Sequence, residues 1–139
     1  QEFRKLENLT CLNLEKSSKI SSSGLKGISS LSNLTELNIS ECQRMNGSAL
    51  ESLSGLVGLR TLKLRNLNLQ DKQCRHFREL VNMRHLDLHG VRGISDAGLV
   101  HLSNMNQLEY ICLTQTKVFT LMLGHLLHTP IILYKNLCA

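Results

Sequence analysis

The apolar positions of the chain fall into one pattern written five times. Leu9, Leu12 and Leu14 are followed by Leu34, Leu37 and Ile39, by Leu59, Leu62 and Leu64, by Met83, Leu86 and Leu88, and by Leu108, Ile111 and Leu113, each triplet reading LxxLxL. The central residues of successive triplets are 25, 25, 24 and 25 positions apart. Within each triplet apolar and polar residues alternate, which predicts a short strand with one face turned inward. A second signature follows each strand, at Ile20, Met45, Leu69, Ile94 and Val118, then at Leu25, Leu50, Cys74, Leu99 and Leu123, and three residues later at Ile28, Leu53, Phe77, Leu102 and Leu126. Leu31, Leu56, Leu80 and Met105 then lead into the next triplet. Spacing by three predicts a helix that buries one face.

A strand-helix unit of this size cannot bury its apolar face alone, so the units must stack and share one core. The residues resemble the leucine-rich repeat family of the cysteine-containing type, the F-box and ribonuclease-inhibitor-like arrays, whose pattern is LxxLxLxxCxxITDxGLxxLxxL. Repeat four carries Ile94-Ser-Asp-Ala-Gly-Leu99, and repeat two carries the cysteine in Leu37-Asn-Ile39-Ser-Glu-Cys42. The resemblance covers roughly residues 3–126. It implies an α/β fold: a right-handed leucine-rich repeat solenoid, or horseshoe, with a parallel concave β-sheet and helices on the convex side. The other repeats depart from the cysteine position with Ser17, Leu67, Val91 and Thr116. Ser and Thr can bond the buried loop backbone there, whereas Leu67 and Val91 cannot, so those turns must satisfy their backbone otherwise.

The whole of 1–139 reads as a single domain of about five repeats. Phe3, Leu6, Leu9 and Leu12 reproduce the spacing of Phe77, Leu80, Met83 and Leu86, which implies a truncated preceding unit at the N-terminus. At the other end Pro130 breaks the pattern, and about 127–139 reads either as an irregular cap or as a compressed last strand around Ile131-Ile132-Leu133. With 42% hydrophobic residues and 4% aromatic ones, the core must be aliphatic, and aromatic platforms for single-stranded nucleic acid are disfavoured. No apolar run is long enough to span a membrane.

In such an array the residues flanking the central leucines face outward onto the concave side. The candidate partner-binding residues are therefore Glu36, Asn38 and Ser40, then Thr61, Lys63 and Arg65, then His85, Asp87 and His89, and finally Tyr110, Cys112 and Thr114. Between Arg60 and Arg92 there are eight basic residues against three acidic ones, so the whole formal charge of +5 lies in repeats three and four. That excess favours a protein partner with an acidic surface. Nucleic acid has the right sign but no recognition motif supports it, and Arg75 and Arg78 are expected on the opposite side from Lys63 and Arg65. His85, Asp87 and His89 are metal-ligand types, yet alternate strand residues lie about 6.6 Å apart, too far for three to share an ion. No nucleophile with a base and an orienting acid is visible, and no phosphate-cradling loop.

The expected function is thus a non-catalytic protein-protein interaction scaffold without cofactors, part of a longer protein. A substrate-recognition array of an F-box-type ubiquitin-ligase adaptor, implied by the resemblance, and a basic-patch nucleic-acid binder are the alternatives. The five scattered cysteines, Cys11, Cys42, Cys74, Cys112 and Cys138, form no disulfide framework and favour an intracellular compartment. The sequons at Asn8, Asn33, Asn38 and Asn46 keep a secreted location open, and oligomeric state is not legible.

Overall fold

The structure, a computed structural model of the chain, describes residues 3–119 and the strand at 132–134. Strands β1 (Cys11–Asn13), β2 (Glu36–Asn38), β3 (Thr61–Lys63), β4 (His85–Asp87), β5 (Tyr110–Cys112) and β6 (Ile132–Tyr134) form one sheet in sequence order. Every neighbouring pair is parallel. The register sets Leu12, Leu37, Leu62, Leu86 and Ile111 side by side in one row. That row is the alignment the 24–25-residue period requires, because a slip of one position would turn every leucine to the opposite face. Of the two readings of the C-terminal segment, a strand is the one found at Ile132–Tyr134. The rest of the expected cap lies outside the described residues, as do Leu123 and Leu126.

The connecting halves are helical, as the spacing by three predicts, and most of the winding is 3₁₀. True α-helix is confined, among the described residues, to α1 (Ser48–Leu53) and α2 (Asp96–Leu99). Elsewhere the chain winds as 3₁₀ helix, at Ser22–Leu25, Ile28–Ser30, Val100–Leu102 and the nine-residue segment Asp71–Glu79. Cys74, Phe77 and Leu80 recur in threes, as Leu50, Leu53 and Leu56 do in repeat two, so the spacing admits either winding. Side chains three apart eclipse one another in a 3₁₀ helix, and its rise of about 2.0 Å per residue crosses from turn to strand with fewer residues. In repeat one the serines and Gly27, at φ 94°, further oppose a regular α-helix.

The core is a set of rows running through the stack. Leu25, Leu50, Cys74 and Leu99 make one, and Ile28, Leu53, Phe77 and Leu102 another, all essentially without solvent contact. Removing a leucine from water contributes roughly 1.5–3 kcal/mol, so each unit depends on its neighbours. The end of the stack shows the converse: Leu9, Leu12, Leu14 and Ile20 in repeat one are half-buried, although their equivalents in repeat two are buried.

After each of β1 to β5 the chain makes one turn in the left-handed region, at Lys16, Glu41, Asn66, Gly90 and Gln115. This turn aims a backbone N–H at the next repeat. Lys16 donates to the Ser40 carbonyl, Glu41 to Arg65, Asn66 to His89 and Gly90 to Thr114, at 2.8–2.9 Å. At the cysteine position the Cys42 thiol donates to the Leu14 carbonyl at 3.0 Å and the Thr116 hydroxyl to Leu113 at 2.7 Å. Leu67 and Val91 close their turns by main-chain N–H groups alone, to Leu64 and Leu88. Gly90, at φ 71°, leaves the space its Cβ would need to the Asn66 amide oxygen. Gly90→Ala is therefore expected to lower stability by about 1–2 kcal/mol, and Asn66→Gly in the same chain to recover part of that loss, as read by urea unfolding.

Candidate functional site

Because side chains alternate along a strand, burying the central row presents the flanking residues on the open face of the sheet. The register makes two columns: Cys11, Glu36, Thr61, His85 and Tyr110, and beside it Asn13, Asn38, Lys63, Asp87 and Cys112. Glu15, Ser40, Arg65, His89 and Thr114 continue the face beyond the strand ends.

The second column is used largely by the chain itself. The side-chain oxygens of Asn13, Asn38 and Asp87 fold forward to accept the backbone N–H two residues on, from Glu15, Ser40 and His89 at 3.0–3.1 Å. Such Asx turns satisfy the donor that the strand leaves behind as it bends away. Lys63 has no acceptor and breaks the column. There the N–H of Arg65 is taken instead by the hydroxyl of Ser40, from the preceding repeat, at 3.1 Å.

This accounting divides the expected face into side chains the chain itself uses and side chains left outward. Ser40, Asp87 and Cys112 are buried. Asp87 accepts the His89 N–H on one oxygen and, on the other, the Nε–H of Arg65 at 2.6 Å. The Cys112 thiol lies 3.5 Å from the Thr114 hydroxyl. Asn38 is half-buried and donates to Glu15 at 3.1 Å. Glu36, Lys63, Arg65 and His85 are exposed, and Thr61, His89, Tyr110 and Thr114 are half-exposed. Alternation alone marks all of these as outward; what it does not reveal is which ones the backbone has claimed.

Two hollows mark the face. One, of about 110 Å³, lies among Cys11, Asn13, Glu36, Asn38, Thr61 and Lys63. The other, of about 300 Å³, lies across β3, β4 and β5 and is lined by Thr61, Lys63, Arg65, His85, Asp87 and Tyr110. The Asp87 hydrogen bond and charge hold the Arg65 guanidinium protonated even more firmly than usual. The rings of His85 and Tyr110 stand 6.1 Å apart, tilted by 45°. Burial pushes the Tyr110 phenol up from its ordinary value. The remaining basic residues sit elsewhere. Arg84 pairs with Glu109 at 2.8 Å. Lys72, Arg75 and Arg78 lie on the Asp71–Glu79 segment behind the sheet, where Arg78 donates to His101 at 3.0 Å. Among the described residues no three His, Cys, Asp or Glu side chains converge as metal ligands.

The sequence matches no protein-family model, and no curated protein matches it. Solved structures do resemble it. Internalin C2 of Listeria monocytogenes superposes over 96% of this chain and 54% of its own, with TM-score 0.72 and 19% identity. Internalin F of the same organism covers 82% of this chain and 37% of its own, with TM-score 0.57 and 28% identity. A chain from the yeast Rad7 and Elc1 complex covers 91% and 32%, with TM-score 0.68 and 24% identity. The fold is a leucine-rich repeat horseshoe. The chain spans about half the length of the first of these structures and about a third of the others.

In the leucine-rich repeat frame the face described above is the concave one, and Cys42 and Cys74 belong to the core behind it. Burial pushes the Cys74 thiol up to about 12 and also raises Cys42. A thiol so raised carries little thiolate near neutrality, and the thiolate is the nucleophile. Native-state alkylation at pH 8 is expected to label exposed Cys11 well before Cys42 and Cys74, as read by peptide mass spectrometry. The Ser40 substitute for the missing Asx turn gives a second expectation. Ser40→Ala should cost about 1–2 kcal/mol, and Lys63→Asn in the same chain should restore most of it by supplying the acceptor found in repeats one and two. Strict additivity of the two changes in urea unfolding would remove the compensation.

Proposed function

We propose that this chain is a protein-interaction scaffold that holds a protein partner on its concave face and catalyses nothing itself. The observation that carries this reading is the outward set Glu36, Thr61, Lys63, His85 and Tyr110, side chains of different chemistry fixed on strands whose opposite face is solid core, with Arg65 just past the end of β3. Rigid strands bear side chains at little entropic cost on binding, which is what a recognition surface needs. Asn38, His89 and Thr114 border this set. The yeast complex that contains one similar chain is itself an assembly of two proteins, in keeping with such a role.

Catalysis is disfavoured by the chemistry of the face. Its one buried carboxylate among the described residues, Asp87, is held by a backbone N–H and by Arg65, and the thiols of Cys42 and Cys74 lie in the core behind the face, raised and buried. The finer assignment, a substrate-recognition array like those of F-box adaptors, is supported by Cys42, whose thiol bonds the preceding repeat as the cysteine-containing pattern implies. We place the protein in a reducing compartment, which suits the free thiols of Cys11, Cys42, Cys74 and Cys112.

A photo-cross-linking residue decides between the two faces. Placed at Thr61 on the concave side, it is expected to capture a discrete protein in cell extract, and placed at Lys72 behind the sheet, to capture none. Capture from Lys72 alone would move the binding surface to the convex side.

A further inference from the structure

We infer that the hollow across β3, β4 and β5 receives a carboxylate side chain from an extended acidic segment of the protein partner, with Lys63 as its counter-charge. This rests on the concave-face reading and adds the chemistry of what is held. The first support is the break in the Asx column. Asn13, Asn38 and Asp87 spend their side chains on the backbone. Repeat three assigns that duty to Ser40 and leaves the Lys63 side chain free of it. A position where a local rule is broken and compensated from a neighbour is where a functional residue is to be sought.

The second support is charge. Among the described residues the Lys63 ammonium meets no carboxylate within ion-pair distance; the pairs that form are Lys16 with Glu41, Arg65 with Asp87, and Glu109 with Arg84 and His85. Asp87, the one acid among the described residues that line the hollow, is already bound to Arg65 and does not repel an incoming anion as a free carboxylate would. Two cations against one carboxylate leave a single net positive charge. That balance suits the charge of one Asp or Glu better than a phosphoryl group of about −1.5 to −2. It also does not suit a nucleic-acid strand, since the neighbours of Lys63 in its column are Asn38 and Asp87, not cations for successive phosphates.

The third support is shape. About 300 Å³ holds a side chain and its flanks, and the His85 and Tyr110 rings with Thr61 wall it on the other side. Backbone and aliphatic atoms beside the carboxylate would rest there.

The test uses the full chain and four fluorescent probes: a Glu-Gly-Tyr repeat peptide, the same peptide with Gln for Glu, one with phosphoserine for Glu, and a random DNA duplex. The Glu peptide is expected to bind at least about tenfold more tightly than the Gln peptide. Lys63→Asn, which keeps the fold by restoring an Asx turn, should weaken it about tenfold while thermal unfolding stays unchanged. The proposal is overturned if the Glu peptide does not bind, if Lys63→Asn leaves its affinity intact, or if the phosphoserine peptide or the duplex binds better. Cross-linking from Thr61 that persists in the Lys63→Asn chain would remove the acidic partner and leave the concave face standing; loss of cross-linking from Thr61 in the unaltered chain would remove both.

Discussion

A parallel strand of three residues has almost no stability of its own, and the stacking of Leu37, Leu62, Leu86 and Ile111 in one buried row is what makes five such strands cohere. Each unit offers half of a core to the unit before it and half to the unit after. The same dependence appears in the hydrogen bonds. The left-handed turns at Lys16, Glu41, Asn66 and Gly90 each send an N–H to a carbonyl of the next repeat, so the backbone of one unit is satisfied by its neighbour. Packing and hydrogen bonding therefore demand the same register, and the side chains on the open face inherit their positions from it.

That inheritance limits what the open face can do. A bend follows every strand, and the N–H at the bend needs an acceptor. Asn or Asp two residues earlier meets the need most directly, which explains why Asn13, Asn38 and Asp87 recur in one column. Asp87 is drawn in further because its second oxygen takes Arg65 at 2.6 Å. Arg65, though half-exposed, is thus a support of the fold as much as a surface group, since its loss would strand a carboxylate that is almost fully buried. Surface position and availability to a partner are different properties here.

Much of the architecture was legible in the residues. The strand centres follow from the LxxLxL triplets, and the 24-residue interval between Leu62 and Leu86 is accommodated without loss of register. The helical half was legible in its burial but not in its winding, because an apolar period of three fits a 3₁₀ helix as well as one face of an α-helix: Cys74 and Phe77 lie on a 3₁₀ segment, Leu50 and Leu53 on an α-helix. The left-handed turns were visible at Gly90 and Asn66, residue types that tolerate positive φ, but not at Lys16, Glu41 or Gln115, where the stack imposes the conformation against local preference. The burial of Ser40 could not be read from its own repeat, since the N–H it serves belongs to Arg65, 25 residues later.

The exchange between Ser40 and Lys63 shows how a repeat array can change its surface without changing its frame. Replacing an Asx residue by lysine would ordinarily leave the Arg65 N–H short of an acceptor, a loss comparable to that of a buried hydrogen bond. A serine one repeat earlier supplies the acceptor because the ladder brings residues 25 apart into contact, and its hydroxyl is short enough to serve the turn while remaining buried. The frame then tolerates a long cationic side chain at the centre of the sheet, flanked in its column by Asn38 and Asp87, which stay committed to the backbone. Within such a column a selective surface is accordingly sparse: its free positions include those whose structural duty a neighbouring repeat has taken over. Their number is bounded by how many neighbours can do so without leaving another donor unmet.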